Sequence, residues 1–159
     1  MDEKALRSIV NTVVQQVKAP QDMTLEKALW LAEKVKQKAL DMGVKAVVAV
    51  SNRAARPVLV ECMDDSYIAS YDVALQKAFT VVSLKMSTST LKPLAQPGGP
   101  LYGIQFTNDC HIVIFGGGEP LTDGNGNVIG GLGVSGGSEE QDAALAAYGK
   151  EIFEKGNTL

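Results

Sequence analysis

The sequence predicts an α+β domain: an antiparallel, five-stranded sheet flanked by helices, with an amphipathic helix in front of it. Apolar residues recur at helical spacing in four segments, short apolar runs read as strands, and polar or glycine turns join neighbouring strands as hairpins rather than crossovers. Without the first helix the predicted order is α-β-β-α-β-β-β-α.

MDEKALRSIVNTVVQQVK places Leu6, Ile9, Val10, Val13, Val14 and Val17 on one stripe of a helix and polar residues on the other. Asp2 and Glu3 suit the positive end of its dipole, Lys18 suits the negative end, and Ala19-Pro20-Gln21-Asp22 ends it. A helix this short is marginal alone in water, so the stripe needs a partner surface. Thr24 caps a second helix, about Leu25 to Met42, which buries Ala28, Ala32, Val35, Ala39 and Met42 and stops at Gly43. KAVVAVS (Lys45 to Ser51) and PVLVEC (Pro57 to Cys62) form a hairpin through NRAAR. Ile68, Ala74, Ala78, Val81 and Leu84 mark a third helix from about Ser66, and a Ser/Thr and Pro/Gly loop from Ser87 to Pro100 should border a pocket. Three strands are expected at Leu101 to Phe106, His111 to Phe115 and Asn127 to Val134, with Asp123-Gly124-Asn125-Gly126 as the turn before the last. Ser138 with Gln141 makes a capping box for a closing helix, Glu139 to about Lys155.

GLGVSGG (Gly131 to Gly137) contains the G-x-G-x-x-G of dinucleotide-binding turns. That motif works between the first strand and helix of a βαβ unit, whereas here the residues that follow read as one helix with no strand to complete it. The better reading is close packing: Gly130, Gly131 and Gly133 let a strand approach its neighbour, and Gly136-Gly137 turn into the capped helix.

Composition narrows the function. At 159 residues, 45% hydrophobic and 21% charged, the chain fits one globular domain with a short extension. A net charge of −3 without a basic stripe argues against nucleic acid. Cys62 and Cys110, without C-x-x-C spacing or a secretory leader, read as reduced thiols of a soluble cytoplasmic protein. No apolar run is long enough to span a bilayer. Glu61, Asp64 and Asp65 gather at a strand end, where paired carboxylates could do acid-base chemistry, although Asp64 or Asp65 capping the next helix is the simpler reading. Lys77 either lies on a solvated helix face or meets Glu61 or an anionic ligand. Gly116-Gly117-Gly118 either presents backbone N–H groups to an anion or makes a bulge or tight turn before Pro120.

Several motifs in order carry a family resemblance: MDD at Met63 to Asp65, Lys77-Ala78 in its helix, LKMST at Leu84 to Thr88, QPGGPLYG at Gln96 to Gly103, and GGGEP through GVSGGSEEQD. From about Met23 to Tyr148 the chain resembles the GlcG/HbpS family, particularly members of the PduO carboxy-terminal type. The resemblance implies a profilin-like antiparallel sheet, self-association into a homo-oligomer, and binding of haem or a corrinoid. It implies no cobalamin adenosylation, since the adenosyltransferase domain of PduO proteins has no counterpart here. Many family members carry His-Arg before the Met-Asp of the MDD motif, where this chain has Glu61-Cys62, and His111 stands where relatives more often have a basic residue. Because haem iron accepts imidazole, thiolate or thioether, Cys62, Met63, Met86, Cys110 and His111 are the donors to consider, with Cys62 and His111 as candidate metal ligands. On a strand, Cys110 and His111 would point to opposite faces. The cofactor-binding candidates are Glu61, Cys62, Met63, Lys77, His111, Gly116, Gly117 and Gly118. The bland readings are a buried, inert thiol for Cys62 and an exposed or hydrogen-bonded strand residue for His111.

Residues 1–20, outside that family module of 21–159, resemble the encapsulation peptides that direct cargo into bacterial microcompartments. Helix-in-groove docking of Leu6, Ile9, Val10, Val13, Val14 and Val17 on a shell or cargo protein removes their apolar area from water; packing on the chain's own domain or an oligomer interface is the plain alternative. The polar face is too poor in Lys and Arg for membrane binding. The expected function is an accessory, non-enzymatic tetrapyrrole-binding protein of a microcompartment lumen. The alternatives are a cofactor-free scaffold or small-anion binder of the same fold, and a small enzyme using Glu61 and Lys77.

Overall fold

The computed structural model describes residues 2–16 and 21–156. The elements run α1 (Glu3–Gln16), α2 (Leu25–Asp41), β1 (Val47–Asn52), β2 (Pro57–Cys62), α3 (Ile68–Leu84), α4 (Thr88–Leu94), β3 (Gly118–Thr122), β4 (Val128–Ser135) and α5 (Glu139–Gly156). One antiparallel sheet of four strands forms, in the order β2-β1-β4-β3. Helices α2 and α5 pack on one face through Leu31, Val35, Leu145 and Phe153 against Val48, Val50, Leu132 and Val134. Helix α3 covers the other, setting Ala74 and Ala78 on Val47 and Ala49. Buried from both sides, β1 reads as an unbroken apolar run instead of an alternating one.

The local signals act as expected at several points. The Thr24 hydroxyl accepts the Lys27 N–H, and Ser138 and Gln141 bond reciprocally at the head of α5. Asp123 accepts the Asn125 and Asn127 N–H groups and closes the turn between β3 and β4.

The sheet has four strands, not five. Leu101 to Phe106 does not form a strand: Gly103 is left-handed and Ile104–Phe106 coils into a 3-10 turn. A second such turn, Asn108–Cys110, holds three successive non-glycine residues at positive φ, a backbone no strand can follow. Ile112 and Val113 are buried, yet the Val113 N–H donates to the Thr80 hydroxyl of α3 and not to a strand, so the run at His111 to Phe115 crosses α3 instead of joining the sheet. The edge strand starts at Gly118. The expected loop at Ser87 to Pro100 contains α4, capped by Ser87. Neither Asp64 nor Asp65 caps α3; Tyr67 occupies the cap position without a side-chain bond, and Asp65 pairs with Lys45 at 2.9 Å.

The glycines of β4 serve packing. A Cβ on Gly133 would run into the Ala74 carbonyl, and one on Gly131 would lie 2.5 Å from the Ala78 carbonyl, so both positions let α3 settle onto the strand. Strand β4 runs antiparallel to both of its neighbours, β1 and β3, unlike the parallel strands of the βαβ unit in which a dinucleotide turn works.

Candidate functional site

The residues singled out in the sequence fall in three places. The first is a groove of about 640 Å³ between α2 and the end of β2, lined among others by Glu33, Lys36, Leu40, Lys45, Glu61 and Met63. Glu61 meets Lys36 at 2.8 Å, not Lys77, and Lys36 also meets Glu33 at 3.0 Å. Bonds to those two carboxylates push the Lys36 ammonium pKa up, against the opposing effect of burial. The pleat separates Glu61 from Cys62: Glu61 lies opposite Val48, towards α2 and α5, and Cys62 opposite Val47, towards α3. Cys62 is exposed, not a buried thiol, and borders the groove at the strand end. The Met63 sulfur accepts the Ala46 N–H at 3.3 Å, which turns it inward. The segment Ser87 to Pro100 lines neither this groove nor a second one of about 540 Å³ beside it at Gly43, Lys45, Tyr67 and Ser138.

The second place surrounds Lys77. This residue is not on a solvated face; it is fully buried, with its Nζ 3.0 Å from Asp142 Oδ2 and 2.7 Å from the Val134 carbonyl. Its ammonium also lies 5.0 Å from the centre of the Phe115 ring. Desolvation holds the Lys77 pKa below its usual range despite the Asp142 carboxylate. The other Asp142 oxygen accepts the Gly136 and Gly137 N–H groups, so one carboxylate ties the end of β4 to α5 and α3. Gly116, Gly117 and Gly118 wrap this pair. Gly117, at φ +112, would put a Cβ 2.5 Å from Lys77 Nζ. The Gly116 N–H donates to Glu139 and the Gly118 N–H to Thr88, so those two amides are committed internally.

The third place is the left-handed turn at Asn108–Cys110. Cys110 and His111 are both exposed there, and the pleat argument that sent them to opposite faces does not apply to a turn. The His111 ring stands edge-on to Phe79 with centroids 5.8 Å apart, and its carbonyl accepts a bond from the Thr80 hydroxyl. An exposed imidazole held against an aromatic ring has the donor chemistry that haem iron accepts. Glu61 and Cys62, Lys77 with the glycine turn, and His111 therefore do not converge on one centre. His111 sits beside Thr80 on α3, whereas Cys62 lies at the end of β2 opposite Val47.

Leu6, Ile9, Val10 and Val13 form the expected stripe on α1 and are each roughly half exposed. Val14 lies on α1, but its side chain, like Val17 as a whole, falls outside the described residues.

Sequence reasoning missed Asp142 and Lys36. Asp142 was visible only as part of SEEQD, where a first-turn acid reads as dipole compensation. Lys36 is one of several α2 lysines, and nothing local marks it as the partner of Glu61.

Among known proteins, the chain is 43% identical over 131 residues to a 15.0 kDa protein from the dhaT-dhaS intergenic region of Citrobacter freundii, covering 82% of this chain and 92% of that one. It is 37% identical over 110 residues to the corrinoid adenosyltransferase PduO of Salmonella typhimurium, covering 69% of this chain but 32% of PduO. The crystal structure of a PduOC:heme complex superposes with a TM-score of 0.78 at 32% identity, covering 82% of this chain and 94% of that one. Residues 23–151 match the family model described as haem degrading protein HbpS-like, and the chain belongs to that HbpS-like family.

Proposed function

We propose that this chain is an accessory tetrapyrrole-binding protein, taking haem or a corrinoid, that self-associates and works in the lumen of a bacterial microcompartment. The observation that carries the cofactor is the similarity to PduOC, captured with haem, over 94% of that chain. His111 is the axial donor in this reading, since it is exposed and braced by Phe79, whereas Met63 is turned inward and Lys77 is spent on Asp142. The imidazole would bind the iron and the neighbouring aromatic ring would hold its orientation. Cys62 and Cys110 are the other exposed donors. Cobalamin adenosylation is not part of the proposal, because the match covers 32% of PduO.

The microcompartment role rests on α1, whose half-exposed Leu6, Ile9, Val10 and Val13 suit a groove on a shell or cargo protein. A second reading, a cofactor-free scaffold, is favoured by the internal use of Lys77 and of the Gly116 and Gly118 amides, which leaves them nothing to offer an anion. An enzyme built on Glu61 and Lys77 is not supported, because each is paired with a different residue. Titrating the purified protein with haem and with cobalamin tests the reading. A saturable spectral change at micromolar concentration is expected with at least one. Flat spectra with both would replace it with the scaffold.

A further inference from the structure

Two apolar surfaces of this chain lack cover. On α1, Leu6, Ile9, Val10 and Val13 form one stripe, and each is about half exposed. On α2, Leu25, Leu29, Lys36 and Leu40 follow i, i+4, i+11 and i+15, within about 60° of one another at 3.6 residues per turn. The three leucines are exposed, and Lys36 and Leu40 line the groove beside the end of β2, so this row faces the edge strand. Across from it, Leu59 of β2 stands opposite Val50, on the same side of the sheet as Glu61, and is half-buried. Lys36 bonds Glu33 and Glu61, which settles all three charges inside the wall and leaves the lysine stem as apolar surface.

We infer that α1 docks into this groove of its own chain, antiparallel to α2, and so conceals the stripe that the proposed targeting uses. The tether selects the occupant. The Asp22 carboxylate accepts the Arg53 N–H and the Met23 N–H reaches the Ile129 carbonyl, which pins the chain beside the β1–β2 turn, where α2 and β2 both begin. The six links from Gln16 to Asp22 reach at most about 20 Å, so α1 can fold back along α2 at the roughly 8–10 Å that separates packed helices. A parallel arrangement is out of reach, because it would put Gln16 at the far end of α2, whose 17 residues span about 25 Å. The stripe fits in length, since Leu6 to Val13 covers seven residues, as does Leu29 to Lys36. In that register Arg7 comes to the end of the groove that holds Asp64, an exposed carboxylate in no ion pair among the described residues. A segment tethered this closely competes at an effective concentration on the order of millimolar, which a free partner must exceed to displace it.

The concealment rests on the targeting role proposed above, whereas the docking does not, and the two are read separately. Hydrogen exchange of the full chain, followed by mass spectrometry, reads the docking in wild type, Leu29→Glu, Leu40→Glu and Tyr71→Glu, the last a control on α3 across the sheet. A free helix of 14 residues is marginal in water, so its amides exchange fast unless it is covered. In wild type and Tyr71→Glu the α1 amides should exchange at least about tenfold more slowly than in the two groove variants, at any protein concentration. Leu29 and Leu40 are exposed, so both variants should keep their helical circular dichroism, and should one fail to fold, the other decides. Equal α1 exchange in wild type and the folded groove variants overturns the docking. Protection that fades on dilution also overturns it, in favour of an α1 covered by another chain. Diffuse fluorescence from residues 1–20 fused to a fluorescent protein beside shells, a segment without the groove, would remove the targeting role and leave the docking standing.

Discussion

Removing the charge from Lys77 gives the sharpest test of how the fold is held together. Lys77→Met keeps most of the volume but deletes the bonds to Asp142 Oδ2 at 3.0 Å and to the Val134 carbonyl at 2.7 Å. The Asp142 carboxylate stays buried, retaining the Gly136 and Gly137 N–H groups on one oxygen and no cation on the other. Breaking one side of a buried pair costs about 3–5 kcal/mol, which at about 2–4 °C per kcal/mol for a domain of this size lowers Tm by roughly 6–20 °C. Asp142→Asn keeps an oxygen for the glycine amides while removing the charge, so it should cost a comparable amount through the stranded ammonium. In the double variant neither charge remains, and its cost should fall short of the sum of the single costs by at least about 2 kcal/mol, within the range of couplings for contacting residues. Urea unfolding followed by circular dichroism measures all three. Single costs below about 1 kcal/mol, or additive ones, would refute a structural role for the pair.

Other consequences are equally direct. Gly133→Ala drives a methyl group into the Ala74 backbone carbonyl, which cannot swing aside as a side chain can, so the variant should lose about 1–3 kcal/mol in the same urea assay. The Glu139 carboxyl is held below its usual range by the Gly116 N–H and then by Lys92. Its contribution is therefore complete above the ordinary glutamate pKa of about 4.3 and is lost as pH falls through the lower folded value. The Tm gap between wild type and Glu139→Gln should accordingly be widest near neutrality and close in acid. Residues 1–20 fused to a fluorescent protein should co-localise with assembled shells, and Val10→Glu should abolish this; diffuse fluorescence from the unmutated fusion would remove the targeting role.

Helices α2 and α5, the first hairpin and the β3–β4 turn were legible because each has its own local punctuation, Thr24 and Ser138 as caps and NRAAR and DGNG as turns, whereas α4 was read as part of a loop. Two of the five expected strands, Leu101 to Phe106 and His111 to Phe115, did not form, and β3 at Gly118–Thr122 was not expected. His111 to Phe115 has the composition of a strand, but its direction is set by the left-handed turn before it and by the Thr80 hydroxyl, and neither shows in an apolar pattern. The same limit applies to the candidate site. Lys77 and Asp142 lie 65 residues apart in sequence and Glu61 finds Lys36 on a different helix, so no spacing rule pairs them. The β4 glycines were readable as close-packing positions because the residues directly after them carry a helix cap and helical spacing.

The most direct test of the proposed function is a visible-spectrum haem titration of His111→Ala beside Cys62→Ala and wild type. Wild type and Cys62→Ala should give the same saturable Soret shift, with His111→Ala losing it or weakening it at least tenfold. A shift unchanged in His111→Ala would contradict the assignment of His111 as the axial donor, and no shift in wild type would contradict haem binding itself.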